Sequence, residues 1–276
     1  MLERFWKAKE HEIAVLRELA AKGHLPAPKS GKRPPFAGSL KNALQKHANM
    51  KNSPAMAVIA EYKRASPSQG DINLALSPEE AAAAYAAAGA GAISVLTEEM
   101  YFKGNLDFID AMAGALPGVG LPLLRKDFLF HPLQVDATAA TSASAVLVIV
   151  RMVDDATLGA LLERCDNLGL EAVVEVFDAP DLDRAKKAGA AIIQVNNRDL
   201  DTLVVDMGVS VRLAEKKEPG EFWISASGVR SREDIDTLRR LGFDAVLVGT
   251  SLMSGPDPGA KLAALMGGGR HAYYKS

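Results

Sequence analysis

The chain has 276 residues, 48% hydrophobic and 24% charged, with a formal net charge of -2. That is an ordinary globular composition, enough for one large domain or two small ones, and its charge balance excludes a nucleic-acid or membrane surface as the main partner. The single cysteine, Cys165, excludes an internal disulfide, and the charged start Glu3-Arg4-Phe5-Trp6-Lys7 is unlike a secretory leader, so the cytoplasm is the expected compartment.

Residues 1–50 carry no strand pattern. Trp6, Ile13, Val15, Leu16 and Leu19 recur at roughly helical spacing and predict a helix packed through that face. The Lys/Pro/Gly stretch 29–35 reads as a loop and 39–47 as a second helix. From Ala57 onward short apolar runs recur at 57–62, 92–96, 122–125, 145–150, 172–176, 191–195, 222–226 and 245–248. Their near-continuous apolarity predicts strands buried on both faces, as in a parallel sheet covered by helices, and none is long enough to span a bilayer.

The intervals read as helices with legible ends. Ser77-Pro78-Glu79-Glu80 supplies an N-cap, a proline at the first helical position and an acid three residues after the cap, and Gly89 is the stop. Asp178 with Pro180 opens a helix over 181–188, and Ser231 with Asp234 one over 235–240. Helical patterns also fit 106–115, 133–141, 156–168, 207–217 and 259–265. Alternating strands and helices, eight of each over roughly 220 residues, match the arithmetic of a (β/α)8 barrel. The competitor is a doubly wound open sheet, disfavoured because no G-x-G-x-x-G follows the first strand. The expectation is therefore α/β: one (β/α)8 TIM barrel domain over 1–276, of which 1–50 is an N-terminal helical extension.

In such barrels the active site forms at the C-terminal ends of the strands. Glu61 and Lys63 end strand 1, and two residues apart on a strand they point the same way. Strand 3 runs into Arg125-Lys126-Asp127-Phe128, and strand 5 carries Glu175 inside an apolar run. Strand 6 ends in Asn196-Asn197-Arg198, strand 7 in Ser227-Gly228 and strand 8 in Gly249-Thr250-Ser251. Each has a plainer reading: an ion pair closing the barrel top for Glu61 and Lys63, a solvated turn for Lys126-Asp127, tight turns for the glycines. Glu175 resists one, because an ionised carboxylate in an apolar strand needs a partner. Two lysines, two glutamates and an asparagine at one mouth suit acid/base chemistry, and the loops after strands 7 and 8 suit a phosphate. The five histidines, His11, His24, His47, His131 and His271, sit off the strand ends without paired metal spacing, and Cys165 falls in a predicted helix as a packing residue.

At this point the residues resemble a known family. Ile59-Ala60-Glu61-Tyr62-Lys63-Arg64-Ala65-Ser66-Pro67-Ser68 is similar to the first-strand signature of the indole-3-glycerol phosphate synthases, (β/α)8 enzymes of tryptophan biosynthesis. Ser94-Val95-Leu96-Thr97, Tyr101-Phe102-Lys103-Gly104, Leu124-Arg125-Lys126-Asp127-Phe128, Val174-Glu175-Val176 and Asn196-Asn197-Arg198-Asp199-Leu200 continue it in the same order, as do Ser227-Gly228 and Val248-Gly249-Thr250. The resemblance implies Lys126 as general acid at the substrate ketone, Glu61 and Glu175 as acid/base carboxylates, Lys63 near the substrate carboxylate, and Asn196 as an orienting group. It implies substrate contacts from Ser66, Pro67, Ser94, Leu96, Phe102, Phe128, Arg198 and Ser227, and a phosphate cradle of Gly228, Gly249 and Thr250. It further implies a small phosphorylated substrate, no metal or organic cofactor, no nucleic-acid or membrane partner, and a monomer with at most transient contacts to other tryptophan-pathway enzymes. The loop around Gly70 is expected to close over substrate. The chain departs from the family pattern at Ala226, where strand 7 usually carries a glutamate, at Gln194, where a glycine is common, and at Thr141-Ser142-Ala143-Ser144, where Gly-Ala-Asp is usual. Two rivals stay open on the residues alone: a related aminosugar-phosphate isomerase, and a non-catalytic phosphosugar-binding barrel.

Overall fold

The computed structural model describes residues 2–48 and 56–267, and His271 lies outside them. Eight strands close into a barrel: β1 (Ala57–Tyr62), β2 (Ala92–Leu96), β3 (Leu123–Lys126), β4 (Ala145–Ile149), β5 (Glu171–Val176), β6 (Ile192–Asn196), β7 (Phe222–Ala226) and β8 (Ala245–Val248). All neighbours pair in parallel, and β8 returns to β1 with Ala245 opposite Ala57, so the sheet has no edge. Two helices precede the barrel, α1 (Leu2–Ala21) and α2 (Phe36–Ala48). The strands are followed in turn by α3 (Pro78–Ala87), α4 (Phe108–Gly114), α5 (Pro132–Ala139), α6 (Asp155–Leu168), α7 (Ala179–Lys187), α8 (Gly208–Ala214), α9 (Arg232–Arg240), and after β8 by α10 (Thr250–Met253) and α11 (Pro258–Leu265). No described helix is long and apolar enough to cross a membrane.

Strand alternation sorts the core into two layers. Val58, Ala60, Ile93, Val146 and Val174 face outward against the helices, while Ala57, Ile59, Leu124, Leu147 and Leu247 face the barrel axis. Continuing the inward parity along each strand delivers Glu61, Lys126, Glu175, Asn196 and Ala226 to the C-terminal mouth. At the opposite end the inward residues of β1, β2, β4 and β8 are small, Ala57, Ala92, Ala145 and Ala245, and the fully buried Phe36 and Leu40 of α2 fill the space. The plug fits closely, since a Cβ on Gly91 would lie 3.0 Å from Leu40 Cδ2.

The helix caps read from the sequence form as written. Ser77 and Glu80 make a reciprocal capping box on α3, and Asp178 and Ser231 accept from the first turns of α7 and α9. The differences are local. β3 and β6 each end one residue later than predicted, which puts Lys126 and Asn196 on the strands themselves. Helix α8 stops at Ala214 rather than 217, because Lys216 and Lys217 donate to Leu213 and Ala214 in tighter turns. The face assigned to α1 holds in part, through Ile13 and Leu16, which are buried. Trp6 and Val15 are 42% and 41% exposed, and the buried stripe is Phe5, Lys9, Ile13 and Leu16. A lysine in the middle of that stripe disguises its register, and it is tolerated because its ammonium is paired inside. Unpredicted are α10 and a short antiparallel ribbon, Ala65–Ser66 with Gly70–Asp71, in the loop after β1.

Candidate active site

The strand ends surround a cavity of about 370 Å³. Glu61, Lys63, Lys126, Glu175 and Asn196 all line it, as do Ser66, Pro67, Leu96, Phe102, Phe128, Arg198 and Ser227. Gly228, Gly249 and Thr250 form part of the wall beyond β7 and β8. Ser94 is not brought into the wall: it is fully buried beside Glu61 in the β1–β2 register, and its Oγ makes no hydrogen bond among the described residues. Ala226 lines the cavity with no polar group to offer.

Four carboxylates border this space, and their partners separate them. Asp127 is committed to structure. It takes Lys9 Nζ at 2.7 Å, the Arg125 guanidinium at 2.8 Å and the Thr97 hydroxyl at 2.6 Å. Burial pushes its pKa up, but Arg125 and Lys9 prevail and hold it at about 2. The solvated-turn reading of Lys126-Asp127 therefore fails at Asp127, which is 3% exposed. Glu98 is equally occupied, accepting from the backbone N–H groups of Met100, Tyr101 and Phe102 at 3.0, 2.7 and 3.1 Å, which fixes the turn presenting Phe102.

Glu61 and Glu175 differ. Glu61 Oε1 lies 2.7 Å from Lys63 Nζ, as strand parity requires. Burial would raise its pKa, yet the charges of Lys63 and Lys126 outweigh burial and hold it below the usual carboxylate range. The second has Lys126 Nζ at 3.9 Å from its Oε2, beyond hydrogen-bond range, and accepts a hydrogen bond from Gln194 Nε2 on the neighbouring strand. Lys126 has no shorter ion pair among the described residues. The site thus holds an ammonium poised beside a buried carboxylate, and a separate, tightly made ion pair across the mouth.

The walls divide by polarity. Phe5 of α1 reaches the cavity and stacks on Phe128 at 4.0 Å between ring centroids, with Tyr101 edge-on to Phe5 at 5.4 Å. Across the mouth, Ser227 has φ 66 and Gly228 φ 94, a pair held by Asn197 Nδ2, which donates to Ala226 O and Ser227 O at 3.1 Å each. Gly249 is required by contact: a Cβ there would run into the Glu61 carboxylate. Asn196 Oδ1 accepts from Arg198 N–H at 3.0 Å, which fixes the orientation of its amide.

Several lining residues were not nominated from the sequence: Phe5, Glu98, Leu200 and Arg230. Glu98 carried a usable signal, an acid two residues after the apolar run of β2. Arg230, two residues beyond Gly228, carried a weaker one. Phe5 had none, because nothing local tells which barrel end α1 reaches. Cys165 is buried in α6, where burial pushes its thiol up to about 12, and His131 caps α5 through Nδ1, 3.2 Å from Leu133 N.

The family model for indole-3-glycerol phosphate synthase matches residues 2–265. The chain is 48% identical over 212 residues to the indole-3-glycerol phosphate synthase of Aquifex aeolicus, covering 76% of this chain and 81% of that protein. It is 43% identical over 210 residues to that of Carboxydothermus hydrogenoformans, with 76% and 78% covered. Among solved structures, a 3-hexulose-6-phosphate synthase superposes with TM-score 0.60 at 16% identity, covering 76% of this chain and all 100% of its own, and thiamine phosphate pyrophosphorylase from Pyrococcus furiosus with TM-score 0.56 at 15%, covering 78% and 95%. At those identities the solved structures speak for the barrel alone. The sequence relatives decide for the synthase over the isomerase and the non-catalytic barrel, and with the match running from α1 through α11 the chain belongs to the indole-3-glycerol phosphate synthase family.

Proposed function

We propose that Lys126 is the general acid of the family's ring closure and that Glu61 and Glu175 carry its protons. The reaction converts 1-(o-carboxyphenylamino)-1-deoxyribulose 5-phosphate to indole-3-glycerol phosphate, with loss of CO2 and water. The observation that carries this assignment is the placement of Lys126 Nζ in the cavity, 3.9 Å from Glu175 Oε2. An ammonium so placed is held without being consumed by a close ion pair.

The chemistry follows from what each bond change needs. The ring carbon bearing the carboxylate attacks the ketone carbon, and the ketone oxygen takes a proton from the Lys126 ammonium as the C–C bond forms. Loss of CO2 restores the aromatic ring. The new hydroxyl then leaves as water with a second proton, while a carboxylate removes one from the adjacent CH2 carbon to complete the indole. One proton is consumed overall, so an acid and a base must both be at hand. Lys63, locked to Glu61, sits where it can meet the substrate carboxylate and assist the dehydration, and Asn196 orients the reacting groups. The aromatic wall of Phe102 and Phe128 suits the aminobenzoate ring. Ser227, Gly228, Gly249 and Thr250 suit the phosphate, at the place after strands 7 and 8 where barrels bind it.

The test is indole fluorescence with purified protein and the carboxyphenylamino substrate. Turnover is expected in the parent. In Lys126→Met it falls by roughly 10²–10⁴, the range of general acid catalysis, with ligand affinity within a few-fold. Full activity in that variant removes Lys126 from its role, and no signal from the parent at high concentration overturns the activity itself. The cavity is complete within one chain, which supports a monomer, and a lone buried thiol is compatible with a cytoplasmic setting. Light scattering of the free protein tests the first point.

A further inference from the structure

We infer that Gln194 is a positioning residue for Glu175, holding one carboxylate oxygen so that the other is free to move the proton. This rests on the reading of Glu175 as an acid/base group and deepens it. Gln194 lies on β6, paired in register with Glu175 on one side and Ile224 on the other, and is fully buried. Its Nε2 donates to Glu175 Oε2, the oxygen that Lys126 also approaches. Among the described residues Glu175 Oε1 accepts no hydrogen bond, and the ammonium at 3.9 Å is too far to fix the carboxylate alone. The amide is therefore the close contact that sets the plane of the carboxylate.

Packing does not explain the residue. Gln194 Oε1 is buried without a partner, a destabilising arrangement that a methionine of similar shape would avoid. The amide orientation is set by the carboxylate itself, since the flipped amide would bring Oε1 against Oε2, acceptor against acceptor. A buried amide with one end bonded only to an acid/base group and the other end unsatisfied is what positioning of that group looks like. The neighbouring strand contributes no polar alternative, because Ile224 and Ala226 are the inward residues of β7 there.

The decisive variant is Gln194→Met, which keeps shape and removes the donor. The expected result is a fall in kcat of about ten-fold or more, as for loss of a hydrogen bond to a charged group, with KM within two-fold of the parent. Placed in a Glu175→Gln background, where the acid/base group is already gone, the same substitution is expected to cost no further kcat. A kcat within two-fold of the parent overturns the proposal, and so does an equal further loss in the double variant. If Gln194→Met fails to fold, the same readouts on Gln194→Ser decide. Full turnover in Glu175→Gln alone instead overturns the acid/base reading of Glu175 and this proposal with it, whereas loss there with retention in Gln194→Met overturns this proposal only.

Discussion

Glu61 owes its charge to its neighbours. Buried as it is, its carboxyl would hold its proton to higher pH, and the reverse direction follows from Lys63 at 2.7 Å, then Lys126, with Arg198 adding a smaller share. Those three cations all lower its pKa, and Gly249 leaves the space its carboxylate occupies. Lys63→Met removes the nearest of them. The acid limb of kcat/KM, which reports the free enzyme, is expected to move to higher pH, because the Glu61 carboxyl then regains its proton more readily. Turnover at neutral pH is expected to drop by about ten-fold or more. An acid limb that stays where it is in the variant refutes the coupling, whatever happens to the rate.

At the scale of elements, α1 is tied to the reaction through β3. Arg125 points outward from β3 and is surrounded by Glu12, Asp127, Gln134 O and Thr138, while Lys9 bridges Asp127 and Glu12. Lys126 lies between Arg125 and Asp127 on the chain, so the network that locks helix to strand also fixes the backbone from which the proposed acid projects. Asp127→Asn leaves buried cations short of an anion, a change that costs about 3 kcal/mol or more and lowers the thermal midpoint by roughly 6–12 °C. The linkage has a definite sign. With the Asp127 pKa at about 2, below its ordinary 3.8, its stabilisation is complete above the ordinary value and is lost as pH falls through the folded one. The variant's deficit is therefore expected to shrink on acid titration from about pH 4 to pH 2, and a deficit constant over that range refutes the assignment. This network also marks how far the sequence could be read. Strand ends were legible because parity along a short strand is local, so Glu61, Lys126 and Glu175 could be placed at one mouth in advance. Arg125 and Glu12 are 113 residues apart, and no local pattern pairs them. Lys9 was silent, since nothing local marks a charge as part of the buried stripe of α1 beside Ile13 and Leu16. Gln194 and Ala226 stood out only as departures, and the contact that gives the first a role spans two strands.

The whole molecule divides its labour between the two ends of one barrel. The C-terminal mouth keeps buried charge, positive φ at Ser227 and an unsatisfied amide at Gln194, all of which cost stability. The opposite end carries what offsets them: a base of small inward alanines filled by Phe36 and Leu40. Helix α2 enters from Pro34-Pro35, which offers no capping side chain, and the cap comes instead from the first residue of β5. Glu171 accepts from the Phe36 N–H and, at 3.2 Å, from the Ala37 N–H, an anion at a helix N-terminus. One strand therefore bears two carboxylates of opposite purpose, Glu171 at the base anchoring the plug and Glu175 at the mouth. Glu171→Ala is expected to lose about 1–2 kcal/mol, as for removal of a helix cap. That corresponds to a fall of roughly 2–8 °C in the thermal midpoint. Its kcat at 25 °C is expected to match the parent, because the barrel core separates the cap from the cavity. Calorimetry beside the fluorescence assay checks both, and a variant that keeps its midpoint while losing turnover would mean that the plug reaches the chemistry through the barrel after all.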